Sequence, residues 1–257
     1  TPASLALQAG KYPNWPMPWI AAQVHGWQVA RDKIPTWALV EDIQYPIRLS
    51  MEQCSSEATA QFKANLFKGH CMADLTGGWG VDTYFFSRQF DEVHYIERSE
   101  ELATVAMHNF DALGAKNIRG HKGDSQQHLS SLPLLDLIYL DPARRDIQQR
   151  KVVGFADCEP NILEMKTQLL ELAPQVLIKA SPMIDIKLGM QELQTVSKVW
   201  TVAVDNECKE VLFLLERSES PDVSVQAVNI RKDGNMDIYT SSFAKEMDSE
   251  MELSPPL

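Results

Sequence analysis

From about residue 70 to residue 216, short apolar runs alternate with amphipathic segments of helical period. The predicted strands are Cys71–Thr76, Glu92–Glu97, Asn117–Arg119, Leu135–Leu140, Gln175–Ile178, Lys198–Val204 and Glu210–Glu216. The helices predicted between them are Val81–Gln89, Ser99–Leu113, Pro160–Leu172 and Ile184–Leu193. Strands that alternate with helices predict right-handed crossovers and a mainly parallel sheet. We therefore expect an α/β, Rossmann-like fold with seven strands.

The end of this pattern predicts an antiparallel last strand. Asp205–Lys209 joins the last two predicted strands and is too short for a helical crossover. These strands should therefore pair as a hairpin at the sheet edge. Plain dinucleotide-binding folds lack such a hairpin.

The flanking segments suggest a division into three parts. Residues 1–65 form a predicted N-terminal helical region, rich in Trp and Pro, with helices over Ile20–Arg31 and Gln53–Phe67. Residues 66–217 form the predicted α/β domain, and residues 218–257 a small hairpin followed by a disordered acidic tail. We expect this hairpin to lie outside the main sheet, because the sheet pattern is complete by residue 216.

Composition narrows the function classes. A formal net charge of −11 excludes a strongly basic nucleic-acid-binding body but leaves room for a local basic patch. The four cysteines form no C-x-x-C pair and the histidines form no H-E-x-x-H motif, so we expect no metal. No apolar run approaches the ~18 residues of a membrane span, and the N-terminus carries no signal-peptide pattern. We expect a cytoplasmic protein without a membrane partner.

A glycine-rich segment, Asp74–Gly80, lies where the first strand passes into a helix; we call it the glycine turn. Glycines permit positive φ and close approach of a ligand to the backbone. The G-x-G-x-x-G dinucleotide motif fails because Thr83 takes the place of its third glycine. The phosphate-binding P-loop fails because no Gly-Lys-Ser/Thr follows. A glycine turn without a ligand remains the other interpretation.

Acidic residues follow successive predicted strands. Glu97 comes 23 residues after Asp74, at the strand end where a carboxylate holds the ribose hydroxyls of a bound nucleoside. Asp124 and Asp141 follow the third and fourth strands. Because the carboxyl ends of parallel strands meet at one edge of a sheet, this series predicts a nucleoside site there.

The fourth strand ends in Asp141-Pro142-Ala143-Arg144-Arg145. This segment resembles the Asp-Pro-Pro-aromatic motif of amino methyltransferases, with Ala143 and Arg144 as departures. In that family the Asp and the next carbonyl accept hydrogen bonds from an exocyclic NH2, which aims the nitrogen at a methyl donor. Arg144 and Arg145 belong to the densest basic cluster of the chain, and arginine can stack on a base or pair with a phosphate.

The chain as a whole resembles class I S-adenosylmethionine (SAM) dependent methyltransferases. The glycine turn is similar to their Asp-x-Gly-x-Gly-x-Gly pattern, with Thr76 in place of the first glycine. Asp74–Leu102 and Asp136–Leu163 resemble the bacterial 16S rRNA guanine-N2 methyltransferase family. The whole chain is closer to a bacterial group described as SAM methyltransferases with a THUMP-like C-terminal region.

The resemblance implies SAM as cofactor, Asp141 as the catalytic residue and RNA, either rRNA or tRNA, as partner. The cofactor-binding residues implied are Asp74, Thr76, Gly78, Gly80, Glu97 and Asp124, and the substrate-binding residues implied are Pro142, Arg144 and Arg145. The favoured function is methylation of an exocyclic amino group of an RNA base. Methylation of a small molecule or protein, and a non-catalytic SAM- or RNA-binding module, remain as alternatives.

Overall fold

The structure, a computed structural model, describes residue 5 and residues 9–144, 154–217 and 222–248. The chain divides into two compact units, Thr1–Asp141 and Pro142–Leu257. The boundary falls inside the stretch 66–217 that the sequence predicts as one domain. The predicted N-terminal region shares the first unit with the first half of that stretch.

The first unit holds four parallel strands in the order β4-β1-β2-β3. Their bounds are β1 Gly69–Asp74, β2 Phe90–Glu97, β3 Ile118–Lys122 and β4 Leu137–Leu140. The helices are α1 Met17–Lys33, α2 Pro35–Ala38, α3 Arg48–Gln53, α4 Glu57–Asn65, α5 Val81–Phe86, α6 Glu100–Ala112 and α7 Ser125–His128. The alternation predicted for this half of the chain is present, and parallel pairing puts the carboxyl ends of all four strands at one edge.

Serine side chains cap two helices of this unit. Ser99 Oγ accepts a hydrogen bond from Leu102 N at the start of α6, and Ser56 Oγ accepts one from Thr59 N at the start of α4, both at 3.3 Å. Such bonds satisfy N–H groups that have no partner within the helix. Ser56 has an extended backbone, so the single helix predicted over Gln53–Phe67 is instead two helices, α3 and α4.

An apolar cluster packs α6 against β2. Tyr95, Ala103, Ala106 and Phe110 each expose at most 3% of their surface, and the Tyr95 and Phe110 rings meet edge to face at 5.2 Å. The small alanines let the helix approach the strand, and burial of this apolar surface stabilises the contact. The cluster thereby supports the carboxyl end of β2, where Glu97 lies.

The N-terminal helices pack on the glycine turn through aromatic side chains. The Trp37 ring centroid lies 4.8 Å from that of Trp79, which belongs to the turn. Trp79 Nε1 donates to the Gln44 carbonyl oxygen at 3.1 Å, and the Asn109 side chain bonds both the N–H and the C=O of Gln44. The N-terminal region is therefore part of the support of the turn.

The second unit holds five strands in the order β7-β9-β8-β10-β11. Their bounds are β7 Gln175–Ala180, β8 Val196–Val204, β9 Glu207–Glu216, β10 Ser224–Ile230 and β11 Met236–Ser242. The other elements are β5 Ala143–Arg144, β6 Cys158–Glu159, α8 Ile162–Leu172, α9 Ile186–Leu193 and α10 Phe243–Asp248. Strand β9 is antiparallel to β7 and to β8, which confirms the antiparallel pairing predicted for these strands. Their predicted place at the sheet edge is wrong, because β10 pairs with the other side of β8. Among the described residues, the strands of the two units number nine, whereas the sequence predicts seven. Strands β5 and β6 are not counted, since they pair only with each other.

The prediction that the C-terminal hairpin lies outside the sheet is wrong. Strand β10 pairs in parallel with β8 over the register Ser224–Lys198 to Ile230–Val204, and β11 pairs antiparallel with β10. The reason is that pairing with β9 leaves the other edge of β8 with free N–H and C=O groups, which β10 satisfies. The burial of Val228 and Ile230, which expose 2% and 6%, stabilises this pairing.

Three further points complete the description of the fold. Phe243–Asp248 forms a short helix, although the sequence predicts disorder from about residue 241. All four cysteines lie in the described residues, and none takes part in a disulfide. Across the described ranges, no helix combines the length and apolarity that crossing a membrane requires.

Candidate functional site

The glycine turn is held between the carboxyl ends of two neighbouring strands. Leu75 N donates to the Tyr139 carbonyl of β4 at 3.0 Å, and Gly77 N donates to the Ile96 carbonyl of β2 at 2.9 Å. The turn therefore begins with its backbone fixed on both sides of β1. This is the position at which α/β sheets bind nucleotide ligands.

Asp74 ends β1 as a buried carboxylate that exposes only 1% of its surface. Its Oδ2 accepts from Thr83 Oγ1 at 2.6 Å and its Oδ1 from Thr76 N at 3.1 Å. Burial raises the pKa of Asp74 from 3.8 to about 7, against the lowering effect of the Thr83 hydrogen bond; the nearby carboxylates of Asp82 and Asp141 raise it further. Asp74 therefore fixes the start of the turn through its hydrogen bonds, and ionisation of its buried carboxyl costs free energy.

Two glycines of the turn have left-handed backbone. Gly78 has φ +56° and Gly80 φ +89°, a region that L side chains rarely adopt. A Cβ on Gly80 would also overlap the Phe110 ring, whereas a Cβ on Gly78 would meet only the Thr76 carbonyl oxygen, at 3.8 Å. Gly80 is therefore required by packing, while Gly78 presents an open backbone surface.

Glu97 binds the glycine turn directly. Its Oε2 accepts from Gly78 N at 2.9 Å, and its Oε1 accepts from Ser99 N at 2.7 Å. The Tyr95 hydroxyl donates to the Gly78 carbonyl at 2.6 Å, so side chains of β2 hold both the N–H and the C=O of Gly78. Each carboxylate oxygen has a second lone pair, so Glu97 can accept further bonds from a ligand hydroxyl.

Asp124 lies in the loop after β3 and is half-buried. Its Oδ1 accepts from Gln126 N at 2.8 Å as the N-cap of α7. The preceding Gly123 N donates to the Glu97 carbonyl at 3.0 Å, which ties this loop to the end of β2. The structure therefore brings Asp124 to the same edge as Glu97.

Asp141 is tied to the glycine turn through its backbone. Its N–H donates to Thr76 Oγ1 at 2.6 Å. Threonine at position 76, where the family pattern has glycine, thus bridges the turn and the end of β4. All six predicted cofactor-binding residues and Asp141 belong to the first unit and cluster around the ends of β1, β2, β3 and β4.

A buried ionic network behind the turn was missed by the sequence analysis. Lys63, fully buried in α4, has its Nζ 3.3 Å from Asp82 Oδ1 and donates to Ser55 Oγ at 3.2 Å. Asp82 Oδ2 accepts from Ser55 Oγ and from the Tyr139 hydroxyl, both at 2.8 Å. The network links α4, α5 and β4. The signal in the sequence was the spacing of Gly78, Gly80 and Asp82, inside the segment Asp74–Leu102 that resembles the guanine-N2 methyltransferase family.

The predicted substrate residues lie in the second unit or outside the described residues. Pro142 is half-buried, and Arg144 belongs to β5, whose two residues pair with β6. Arg145, which the sequence analysis assigns to substrate binding, lies outside the described residues. In the parts of the chain that the structure covers, no three His, Cys, Asp or Glu side chains form a group that could hold a metal ion.

Comparison with known proteins gives structural matches. The chain matches a candidate methyltransferase from Porphyromonas gingivalis W83 with a TM-score of 0.83 and 28% identity, over 100% of this chain and 68% of that one. It matches a candidate class I SAM-dependent methyltransferase from Listeria monocytogenes with a TM-score of 0.54 and 9% identity, over 88% and 90% of the two chains. A candidate methyltransferase from Streptococcus mutans, in complex with SAH, matches with a TM-score of 0.44 and 15% identity, over 62% of this chain and 96% of that one. No family model and no curated protein matches the chain.

The first two of these matches establish the fold. The chain has the α/β, Rossmann-like fold of class I SAM-dependent methyltransferases, with a mostly parallel sheet. The glycine turn and the acidic residues at the strand ends occupy the ligand-binding edge of that fold.

Proposed function

We propose that the protein is a SAM-dependent methyltransferase. The observation that carries the proposal is the glycine turn, with left-handed Gly78 held at the strand ends by Glu97 and Tyr95. The match to the Porphyromonas gingivalis protein over the full chain supports the same activity. The match to the candidate class I SAM-dependent methyltransferase from Listeria monocytogenes supports SAM as the cofactor.

The residues of the turn fit a nucleoside-containing cofactor. Gly78 leaves an open backbone surface, which lets a ligand approach closely. Glu97 is already oriented by two backbone N–H groups and can accept from ribose hydroxyls. Asp124 lies in the loop that Gly123 ties to the Glu97 backbone, and its carboxylate would accept from an adenine amino group. Asp74, Thr76 and Gly80 keep the turn in place. SAM, when bound, supplies a methyl group activated by a sulfonium.

We propose an exocyclic amine of an RNA base as the methyl acceptor. Asp141 follows β4 and precedes Pro142, which restricts the backbone at this point. The Asp141 carboxylate and the following carbonyl would accept hydrogen bonds from the amine and orient its nitrogen. Orientation of this kind, and stabilisation of charge that develops on nitrogen, supply most of the catalysis in such a site. Arg144 and Arg145 would hold a phosphate or stack on the base.

The resemblance to the guanine-N2 methyltransferase family and to the group with a THUMP-like region supports RNA over other substrates. The basic residues after Asp141 support it as well, since they stand out in a chain with a net charge of −11. A protein or small-molecule acceptor would leave these arginines as surface charges.

Cofactor binding is tested by calorimetric titration with SAM and S-adenosylhomocysteine. We expect Glu97→Ala to weaken binding by about 1–3 kcal/mol, because ribose hydroxyls lose a paired acceptor. Glu97→Gln keeps one acceptor oxygen and should lose less, and Glu101→Ala, on the exposed surface of α6, serves as control. Absence of binding at millimolar SAM would refute the proposal.

The acceptor is tested with labelled SAM. The protein is incubated separately with total RNA, protein extract and metabolites from a strain that lacks it. Label in the RNA fraction, lost with Asp141→Asn, is the expected result. Label confined to protein or metabolites would exclude RNA while leaving the methyltransferase activity intact.

A further inference from the structure

A cavity lies in the first unit, between α1, the segment 41–45 and α6, and no part of the proposed methyl transfer uses it. Its volume is about 440 Å³. Two hydrogen bonds between the Gln23 side chain and the Tyr45 backbone, at 2.8 and 2.9 Å, join α1 to the segment. His108 Nε2 lies 2.8 Å from the Asp42 carbonyl and joins the segment to α6. Hydrogen bonds therefore join the segment 41–45 to both helices that line the cavity.

Two indole rings line this cavity and remain open to solvent. Trp19 is 56% and Trp27 41% exposed, although indoles are usually among the more buried side chains. Arg31 places its guanidinium 4.9 Å from the Trp27 ring centroid, so this ring already acts as a cation acceptor within the chain. Aromatic faces of this kind attract cations through their quadrupole.

Two carboxylates, those of Glu41 and Asp42, line the same cavity and are exposed. Among the contacts of the described residues, neither side chain makes a hydrogen bond or an ion pair. No described lysine or arginine lines the cavity. An anion would therefore be repelled by two carboxylates that have no ion-pair partner among the described residues, whereas a cation would be attracted to them, with Arg31 engaged on the Trp27 ring.

We infer that this cavity, the Trp19–Asp42 pocket, binds an alkylammonium group beside the indoles of Trp19 and Trp27 and the carboxylates of Glu41 and Asp42. The ammonium would pair with the carboxylates, and its methylene chain would pack on the indoles. The chemistry is shared by a free polyamine and by a lysine side chain of a protein partner. The inference is independent of the proposed methyl transfer.

The test is calorimetric titration of the full chain at low salt with three probes. Spermidine represents the free polyamine, a lysine-rich decapeptide represents the protein source, and 1,6-hexanediol is an uncharged control. We expect at least one ammonium probe to bind and hexanediol not to bind. The stronger of the two ammonium probes identifies the source, and failure of both would overturn the inference.

Variants separate pocket binding from general attraction to an acidic protein. Glu41→Gln combined with Asp42→Asn should weaken binding roughly tenfold, since exposed ion pairs each contribute a few-fold. Trp19→Ala should weaken it about two- to fivefold. The matched control, Asp32→Asn with Asp111→Asn, removes the same charge from exposed positions of α1 and α6 outside the pocket. If this control weakens binding as much as the pocket variant, the inference is wrong.

Discussion

The charge of Asp74 should make the stability of the protein depend on pH in a defined direction. Its carboxyl is protonated more readily in the folded state, where the pKa is about 7, than in the unfolded chain, at 3.8. Between these values the folded state binds the additional proton, so the free energy of unfolding falls as pH rises. At about 1.4 kcal/mol for each pH unit, the full effect is about 4 kcal/mol, complete above pH 7.

Asp74→Asn removes this pH dependence of stability and keeps most of the hydrogen bonds around position 74. The carbonyl oxygen of the introduced amide can still accept from Thr76 N, and its NH2 can donate to Thr83 Oγ1 if the hydroxyl rotates. We expect the variant to gain stability relative to the wild type as pH rises from 5 to 8, by roughly 2–3 kcal/mol. Loss of the charged anchor should weaken SAM binding at the same time.

The assay is urea unfolding of wild type and variant without ligand at half-unit steps from pH 5 to pH 8.5. The informative quantity is the difference between the two unfolding free energies, because other titrating groups cancel. Asp111→Asn, at an exposed position, controls for removal of one carboxylate. A difference that stays constant with pH would refute the reasoning, since it would mean that Asp74 titrates alike in the folded and unfolded chains.

Three further substitutions test the packing and chemistry of the site. Lys63→Met should lower the free energy of unfolding, measured in urea, by about 3–5 kcal/mol, because Asp82 loses its buried cation. Adding Asp82→Asn should restore part of this loss. A Lys63→Met variant as stable as the wild type would contradict the ion pair. Gly80→Ala should lower the free energy of unfolding by about 1–3 kcal/mol in the same assay, because position 80 has a left-handed backbone. Adding Phe110→Leu to this variant should recover the part of the loss that comes from overlap with the Phe110 ring. Asp141→Asn should lower kcat by orders of magnitude with little change in the Kd for SAM, because its bonds form at the reacting nitrogen; an unchanged kcat would exclude this role.

The parts of the fold with strong local signals were predicted from the sequence. The strand ends at Asp74, Glu97 and Asp141 follow apolar runs, and parallel pairing then requires that they meet at one edge. The bond from Gly78 N to Glu97 was not predictable, since it depends on how closely β1 and β2 approach. The burial of Lys63 was also hidden: a lysine in the last turn of a short helix usually lies at the surface.

The C-terminal half shows where local pattern is insufficient. The alternation over β10 and β11 predicts a hairpin but does not say what it pairs with. Strand β8 has an open edge only because β9 returns between β7 and β8, which is a property of the topology. A sheet pattern already complete by residue 216 pointed to a separate element, but the open edge of β8 pairs with β10.

The contact between Trp37 and Trp79 gives the glycine turn an optical signal of its own. The two indoles meet at 4.8 Å and 68°, both almost fully buried, and Trp79 directly follows Gly78. Indoles this close and this rigid couple their electronic transitions, so they dominate the near-ultraviolet circular dichroism of a folded chain. Any ligand that shifts Gly78 moves one partner of the pair against the other. The occupancy of the turn can therefore be followed in solution without a label.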